Sequence, residues 1–396
     1  MVYLIWAILA ILSFVRKRSK VVTLLVAAFI ACIFCFNTAN ADLYNYQMSY
    51  LNDGKFSRFE PLYLLMGRIF HSYGFSFEVF RACMSITCIG LITATIFRFS
   101  PFPAWTLWLY SLCLMTLDVT QFRFFIGYSI VFFSTRFLVD YQIQPNLKDV
   151  ILFFALLLLA AGFHYSCALY GILGLLFLNI QKRKRFLLVF VPLCVIIFAL
   201  SFQQLVPLTA GILPAVQIET WVAAEKVMSL RNTLKIVLTR PMPLAYSVFV
   251  SFVVRTKKYA RIVGKNENSL GIAGTGRPQR FAILRKKSQY YDLRVNQCLF
   301  SCFLYICLFV ILELTVAGQY ERLFRLGLLI AAVLISRQIS YLTPFNQMSA
   351  QIMLTLVYAL YFISMMYFTY TSEKSAFIDI VFRLVMESNS LFGVTY

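Results

Sequence analysis

The sequence predicts an all-α polytopic membrane protein, and three observations carry that prediction. The 396 residues are 61% hydrophobic and only 13% charged, too apolar for a soluble chain of this length. Apolar blocks approaching the length of a bilayer span recur from end to end, separated by short polar knots. The basic residues collect in alternate knots, as the positive-inside rule requires.

Spans are predicted near 2–15, 21–37, 79–97, 102–117, 124–139, 150–163, 165–180, 186–204, 242–254, 297–314, 323–338 and 348–370. These are about 12 transmembrane helices in a single integral membrane domain over residues 1–396. Outer loops fall near 38–78 and 205–241, and a basic cytoplasmic loop over 255–296. The first apolar block precedes its basic cluster RKRSK (16–20), the reverse of a secretory signal, so it reads as an uncleaved span.

Placing RKRSK in the cytoplasm puts the N-terminus outside. The other inner segments are then those around Arg98, 136–149, QKRKR (181–185), 255–294 and Arg337. Together they hold 23 of the 36 Lys and Arg but 4 of the 16 acidic residues. About +19 of the net +20 therefore lies inside, leaving about +1 outside. Topology accounts for the charge, so no nucleic-acid partner is expected.

The ten cysteines are scattered and mostly inside apolar blocks, and the one C-x-x-C (Cys32, Cys35) lies within a span. They read as packing residues rather than metal ligands. The glycines of the 255–296 loop lack the strand–turn–helix setting of a phosphate loop. That loop reads as a basic segment lying on anionic lipid headgroups. No internal repeat is visible, which disfavours a transporter built from duplicated halves.

The outer face collects the chemistry. In NTANADLYNYQMSYL, Asp42, Tyr46 and Tyr50 recur every four residues, so a helix places them along one side. An interfacial helix with tyrosines at headgroup level has the same pattern. Glu60 precedes Pro61, which suits a first helical turn, and sits at that helix's positive end. DVTQFRFF places Asp118, Gln121 and Arg123 at the outer end of a span. Arg123 either snorkels or turns its planar fork of donors to a phosphate in a cavity.

In FHYSCALYG (163–171), His164 sits in an uncharged run with basic flanks on both sides, Lys148 and QKRKR. Both flanks being cytoplasmic makes the run a hairpin, with His164 recessed at its outer tip below a cavity opening outward. It is either a satisfied structural histidine or a base with a pKa near neutrality. Arg322 and Arg325, three residues apart, share a face near the mouth of another span. The only other histidine is His71, so no metal site is expected.

These residues, in this order, resemble the EpsG/Wzy family of bacterial polysaccharide polymerases. The matching pieces are Asp42–Tyr46–Tyr50, Glu60-Pro61-Leu62-Tyr63, Gln121-Phe122-Arg123, Phe163-His164-Tyr165-Ser166 and Tyr320-Glu321-Arg322. Phe124 stands where the family often has a polar residue, and Cys167 where it often has alanine. The resemblance implies a GT-C-like helical bundle in the bacterial inner membrane with its active face on the periplasmic, extracytoplasmic side. It implies a glycosyltransferase joining undecaprenyl-pyrophosphate-linked oligosaccharide repeats into O-antigen, capsule or exopolysaccharide chains.

On that reading Arg123, Arg322 and Arg325 hold the pyrophosphate, and Tyr46, Tyr50 and Gln121 bind substrate. His164 is the first choice of base, with Asp42 and Glu60 as alternatives. The reaction is expected to be metal-independent, without cofactor. The expected partners are the lipid-linked oligosaccharide, membrane lipids, a chain-length regulator and a flippase. A flippase or exporter of the same lipid-linked sugar, or an O-antigen ligase-type transferase, is the competing reading.

Overall fold

Helix ends are set by local chemistry along the described chain. Ser19 caps α2 (Lys20–Phe36) by accepting from the Val22 amide at 3.3 Å, after α1 (Val2–Val15) has ended. Pro61 opens α4 (Pro61–Ser72), Ser76 caps α5 (Phe77–Phe99), and Pro103 opens α6 (Pro103–Cys113). Short α3 (Leu43–Leu51) precedes α4. Then come α7 (Met115–Thr120), α8 (Phe122–Ile143) and α9 (Leu147–Phe163), the last capped by Asn146.

A 3₁₀ helix, Tyr165–Phe177, follows α9. The later elements are α10 (291–307), α11 (Glu321–Ile339), α12 (Pro344–Phe368), a π-turn (Ile378–Arg383) and α13 (Leu384–Glu387). The computed structural model describes residues 1–54, 59–177, 291–307, 321–368 and 378–392, and no strand occurs among them. The spans expected near 186–204 and 242–254, the 205–241 loop and nearly all of the 255–296 loop lie outside the described residues.

Several outer helices bury one face and expose an apolar one, around α6 and α7, which are buried on every side. α1 exposes Leu4, Ile8, Ile11 and Val15; α9 exposes Ile151, Phe154 and Leu158; α12 exposes Ile352, Leu356, Leu360 and Ile363. Spacings of three and four make each set a single stripe. Stripes of this extent are untypical of a soluble surface and suit lipid. By themselves α5 and α8 are long and apolar enough to cross a membrane; α1 and α2 are shorter apolar helices.

The polar groups gather at the two ends of the bundle. At one end Lys17 donates to Gln347 (3.2 Å) and Gln351 (3.0 Å), and Arg98 pairs with Asp140. There too, Arg337 bonds Asp292 (2.7 Å), Asn296 (2.8 Å) and the Phe99 carbonyl (2.9 Å). These are basic residues that the charge pattern assigns to the cytoplasm.

At the opposite end the C-terminal segment folds back onto the bundle, an arrangement beyond the last predicted span. Asn37 donates to the Val385 and Ser388 carbonyls, Asn389 to the Cys32 carbonyl, and Tyr3 to Glu387 at 3.0 Å. Two spans also differ from the expected continuous α-helices. The 102–117 block breaks at Leu114 and resumes as α7, and the arm after His164 is 3₁₀ rather than α.

The 3₁₀ geometry has a consequence for depth. At about 2.0 Å per residue its 13 residues reach ~26 Å, where an α-helix would reach ~20 Å. The 17 residues of α9 also reach ~26 Å. Both arms thus approach, without exceeding, the ~30 Å hydrocarbon core.

Candidate functional site

Two chain breaks face each other at the end of the bundle opposite Arg337. Gln121 separates α7 from α8 in a non-helical conformation, and His164 separates α9 from the 3₁₀ helix in an extended one. Each break leaves the helical ladder locally and turns a polar side chain inward. α8 and α9 pack along their length, so the breaks come together. α3 and the start of α11 close the other sides.

The result is a cavity of about 210 Å³ lined by Asp42, Asn45, Tyr46, Phe59, Gln121, Arg123, Phe124, His164 and Arg322. Five separate stretches of chain contribute, and the cavity brings together six of the nine residues singled out from the sequence.

Glu60 does not line this cavity; it anchors it. Buried at 3% exposure, its carboxylate forms an ion pair with Arg123 and accepts from the Tyr165 amide at 3.4 Å. One carboxylate thus ties α4 to the first turn of α8 and to the residue after His164. The Arg123 guanidinium also lies over the Phe59 ring at 3.8 Å and the Tyr46 ring at 5.9 Å. Held by an ion pair and two aromatic faces, it has few rotamers left to lose on binding an anion.

Three buried polar atoms around this cavity have no hydrogen-bond partner among the described residues: Gln121 Oε1, Arg123 Nε and His164 Nδ1. These three atoms are open to a polar guest in the cavity. The imidazole packs edge-on against Phe124, ring centroids 5.3 Å apart. In the connection between its two arms, burial first and then the guanidinium groups of Arg123, Arg322 and Arg325 hold the His164 pKa well below its ordinary value, away from the near-neutral value expected of a base.

Asp42 is positioned by an asparagine turn. The Asn40 side chain accepts from the Asp42 amide at 3.1 Å and donates to Asn37 at 2.8 Å, and Asn37 is the residue that grips the C-terminal segment. Burial raises the Asp42 pKa, and the charges of Arg322 and Arg123 oppose that rise without cancelling it.

Arg325 is placed away from the cavity. At 2% exposure it lies one turn deeper than Arg322 and donates to Asp118 at 3.1 Å. Asp118 also accepts from Tyr110 at 2.9 Å and from Tyr128. The two phenols satisfy the Asp118 carboxylate, while Arg325 Nε has no hydrogen-bond partner among the described residues. This cluster floors the site. Arg322 and Arg325 share a helix face as expected, but burial changes within a single turn.

Tyr50 parts from Asp42 and Tyr46 as well. Residues four apart drift by about 40° on a 3.6-residue turn, so Tyr50 is rotated about 80° from Asp42. It donates to the Phe75 carbonyl at 2.7 Å and stacks on Phe80, on the far side of α3. The same helical count finds a residue that was passed over: Asn45, at i+3 from Asp42, lines the cavity. Phe59, whose ring carries Arg123, left no signal beyond its place beside Glu60.

Among the described residues no three His, Cys, Asp or Glu side chains gather as metal ligands would. A family model described as the EpsG family matches residues 20–380, most of the chain. No curated protein and no solved structure matches.

Proposed function

The chain belongs to the EpsG family, the family of Wzy-type polysaccharide polymerases, and we propose that it joins undecaprenyl-pyrophosphate-linked oligosaccharide repeats at the outer leaflet of a bacterial inner membrane. One observation carries this reading: a single cavity combines two guanidinium groups, an imidazole and a carboxylate at one end of an apolar bundle. Arginines suit a diphosphate leaving group, and that anion offsets the guanidinium charges that otherwise keep the imidazole from taking a proton.

In this reading a hydroxyl of the acceptor repeat attacks the anomeric carbon of the donor. The new C–O bond forms as the bond from that carbon to the pyrophosphate oxygen breaks, and the lipid pyrophosphate departs with the electron pair. His164 takes the hydroxyl proton. Arg123 and Arg322 meet the charge that grows on the leaving oxygen, where preorganised donors act most strongly. Asp42 accepts from a sugar hydroxyl and orients it. Glu60 works through Arg123, holding its fork in place.

The remaining layout follows the sequence reading: one integral membrane domain of about 12 spans, GT-C-like, with the cavity opening to the extracytoplasmic side. Its partners are then the lipid-linked substrates, the flippase that delivers them and a chain-length regulator. A flippase reading needs a polar path through both leaflets. The Asp118–Arg325–Tyr128 cluster is instead a buried group in which the charges are already paired with each other.

Deletion of the gene, followed by gel analysis of surface polysaccharide, tests the proposal. Loss of long chains with single repeats retained is the expected result. Loss of every capped species would point to transport or ligation and would overturn it.

A further inference from the structure

The cavity at Arg123 is too small for an oligosaccharide. At about 210 Å³ it lies below the ~300–1,000 Å³ of ordinary ligand pockets. It takes the reacting diphosphate end of a substrate, and the sugars beyond must lie elsewhere. A second cavity, of about 630 Å³, opens on the other side of α3 between α3, the end of α4 and the start of α5. α3 is the shared wall: Asp42, Asn45 and Tyr46 face the first cavity, and Tyr44, Gln47, Met48 and Tyr50 the second. The two are about one helix diameter apart, ~10 Å.

The chemistry of the second cavity differs from that of the first. No Lys or Arg lines it; its charged or ionisable groups are Glu78 and His71, the latter paired with Asp53 at 2.6 Å. Nothing there suits a phosphate. Aromatic rings dominate instead. Tyr44 is 69% exposed, Phe75 is exposed beside it, and the Tyr50 ring is fixed by its bond to the Phe75 carbonyl. Gln47, Ser76 and Glu78 supply an amide, a hydroxyl and a carboxylate among those rings. Flat apolar faces interleaved with an amide, a hydroxyl and a carboxylate match a pyranose, which has apolar C–H faces and hydroxyl edges.

We propose that this second cavity is a glycan-binding subsite. It holds sugars of the growing chain next to the one that reacts, while the diphosphate sits with Arg123. The inference rests on the polymerase reading and extends it to substrate length. It gives α3 one role on each side, the leaving-group end at Asp42 and Tyr46 and the sugar chain at Tyr44 and Gln47. A chain held at both places dissociates less readily between additions, so the subsite favours long products.

The test uses full-length protein in nanodiscs. The probe is a lipid-free oligosaccharide of a few repeats, released by mild acid from the host's own surface polysaccharide. Saturable binding to wild type is expected. Tyr44→Ala and Glu78→Gln are each expected to raise Kd about tenfold, equivalent to ~1.4 kcal/mol. Tyr44 is exposed, so its truncation leaves the fold intact. Gln47→Trp, which fills the cavity from its rim, is expected to abolish binding.

Inorganic pyrophosphate, as a second probe, should bind the Tyr44→Ala protein as it binds wild type. Wild-type protein that elongates lipid-linked repeats but does not bind the free glycan overturns the subsite and leaves the polymerase reading intact. Glycan binding unchanged in all three variants does the same. Wild-type protein that cannot elongate lipid-linked repeats overturns the polymerase reading itself.

Discussion

The two cavities flanking α3 are made of the same chain and differ in how far their polar groups are satisfied. On the Asp42 side Gln121, Arg123 and His164 each keep a buried atom without a partner, and two arginines share a small space. On the Tyr50 side the phenol is bonded, His71 is paired with Asp53, and no cation lines the wall. An under-satisfied, charged site holds electrostatic potential ready for a reacting group. A satisfied aromatic one offers surface for binding. Substitutions on the first side should therefore be felt in turnover, and those on the second in affinity or stability.

The largest expected effect is at the charged cavity. His164→Ala should lower chain extension by about 10²–10⁴-fold, and Arg123→Ala by about 10²–10³-fold, with protein levels in the membrane unchanged by immunoblot. Near-normal long chains from either variant would remove that residue from the mechanism and erase the contrast. Arg123→Lys should restore only part of the activity, because a point charge cannot reproduce the fork held by Glu60, Phe59 and Tyr46.

The joint that brings the two breaks together is next. A Cβ at Gly127 would meet Cys167 Sγ at 2.5 Å and the Ala160 carbonyl at 3.1 Å. Gly127→Ala should therefore push the His164 connection away from α8 and cost about 1–3 kcal/mol, read as a lower Tm in detergent. Pairing it with Cys167→Ala removes the nearer clash. The double variant should recover part of both Tm and activity, which an effect of Gly127 on helix propensity alone would not allow.

Asp42 gives a test in pH. Burial raises its pKa, so the folded chain binds this proton at pH values where the unfolded chain has released it. The group therefore favours folding at low pH, and that stabilisation is lost as pH rises through the folded pKa. Asp42→Asn should raise Tm at neutral pH while slowing elongation. In the wild type, activity should fall on acidification through a value above the ordinary ~3.9 of an aspartate, and that acid limb should vanish in Asp42→Asn. The smallest effect is on the other side: Tyr50→Phe loses one hydrogen bond to Phe75, about 1 kcal/mol, read as a lower Tm.

Much of the candidate site was legible because polar residues in apolar runs are costly and so are informative. His164, Arg123 and Gln121 stand out against hydrocarbon, and the structure brings all three into one cavity with Asp42, Tyr46 and Arg322. Depth was less legible. Arg322 and Arg325 look equivalent in sequence, yet one lines the cavity and the other is buried on Asp118. Glu60 looked like a base, and its place as Arg123's anchor depends on a partner 63 residues away. The fold-back of residues 378–392 onto Asn37 had no periodic signal at all.

The sequence by itself determined the all-helical class and the small set of polar groups available for chemistry. These follow from composition and period, which act residue by residue. Only the tertiary structure decided which groups meet. Glu60 is consumed by Arg123, Arg325 by Asp118, and Tyr50 turns to the second cavity. Pairing energy depends on distance and burial between segments far apart in the chain, and local patterning carries neither.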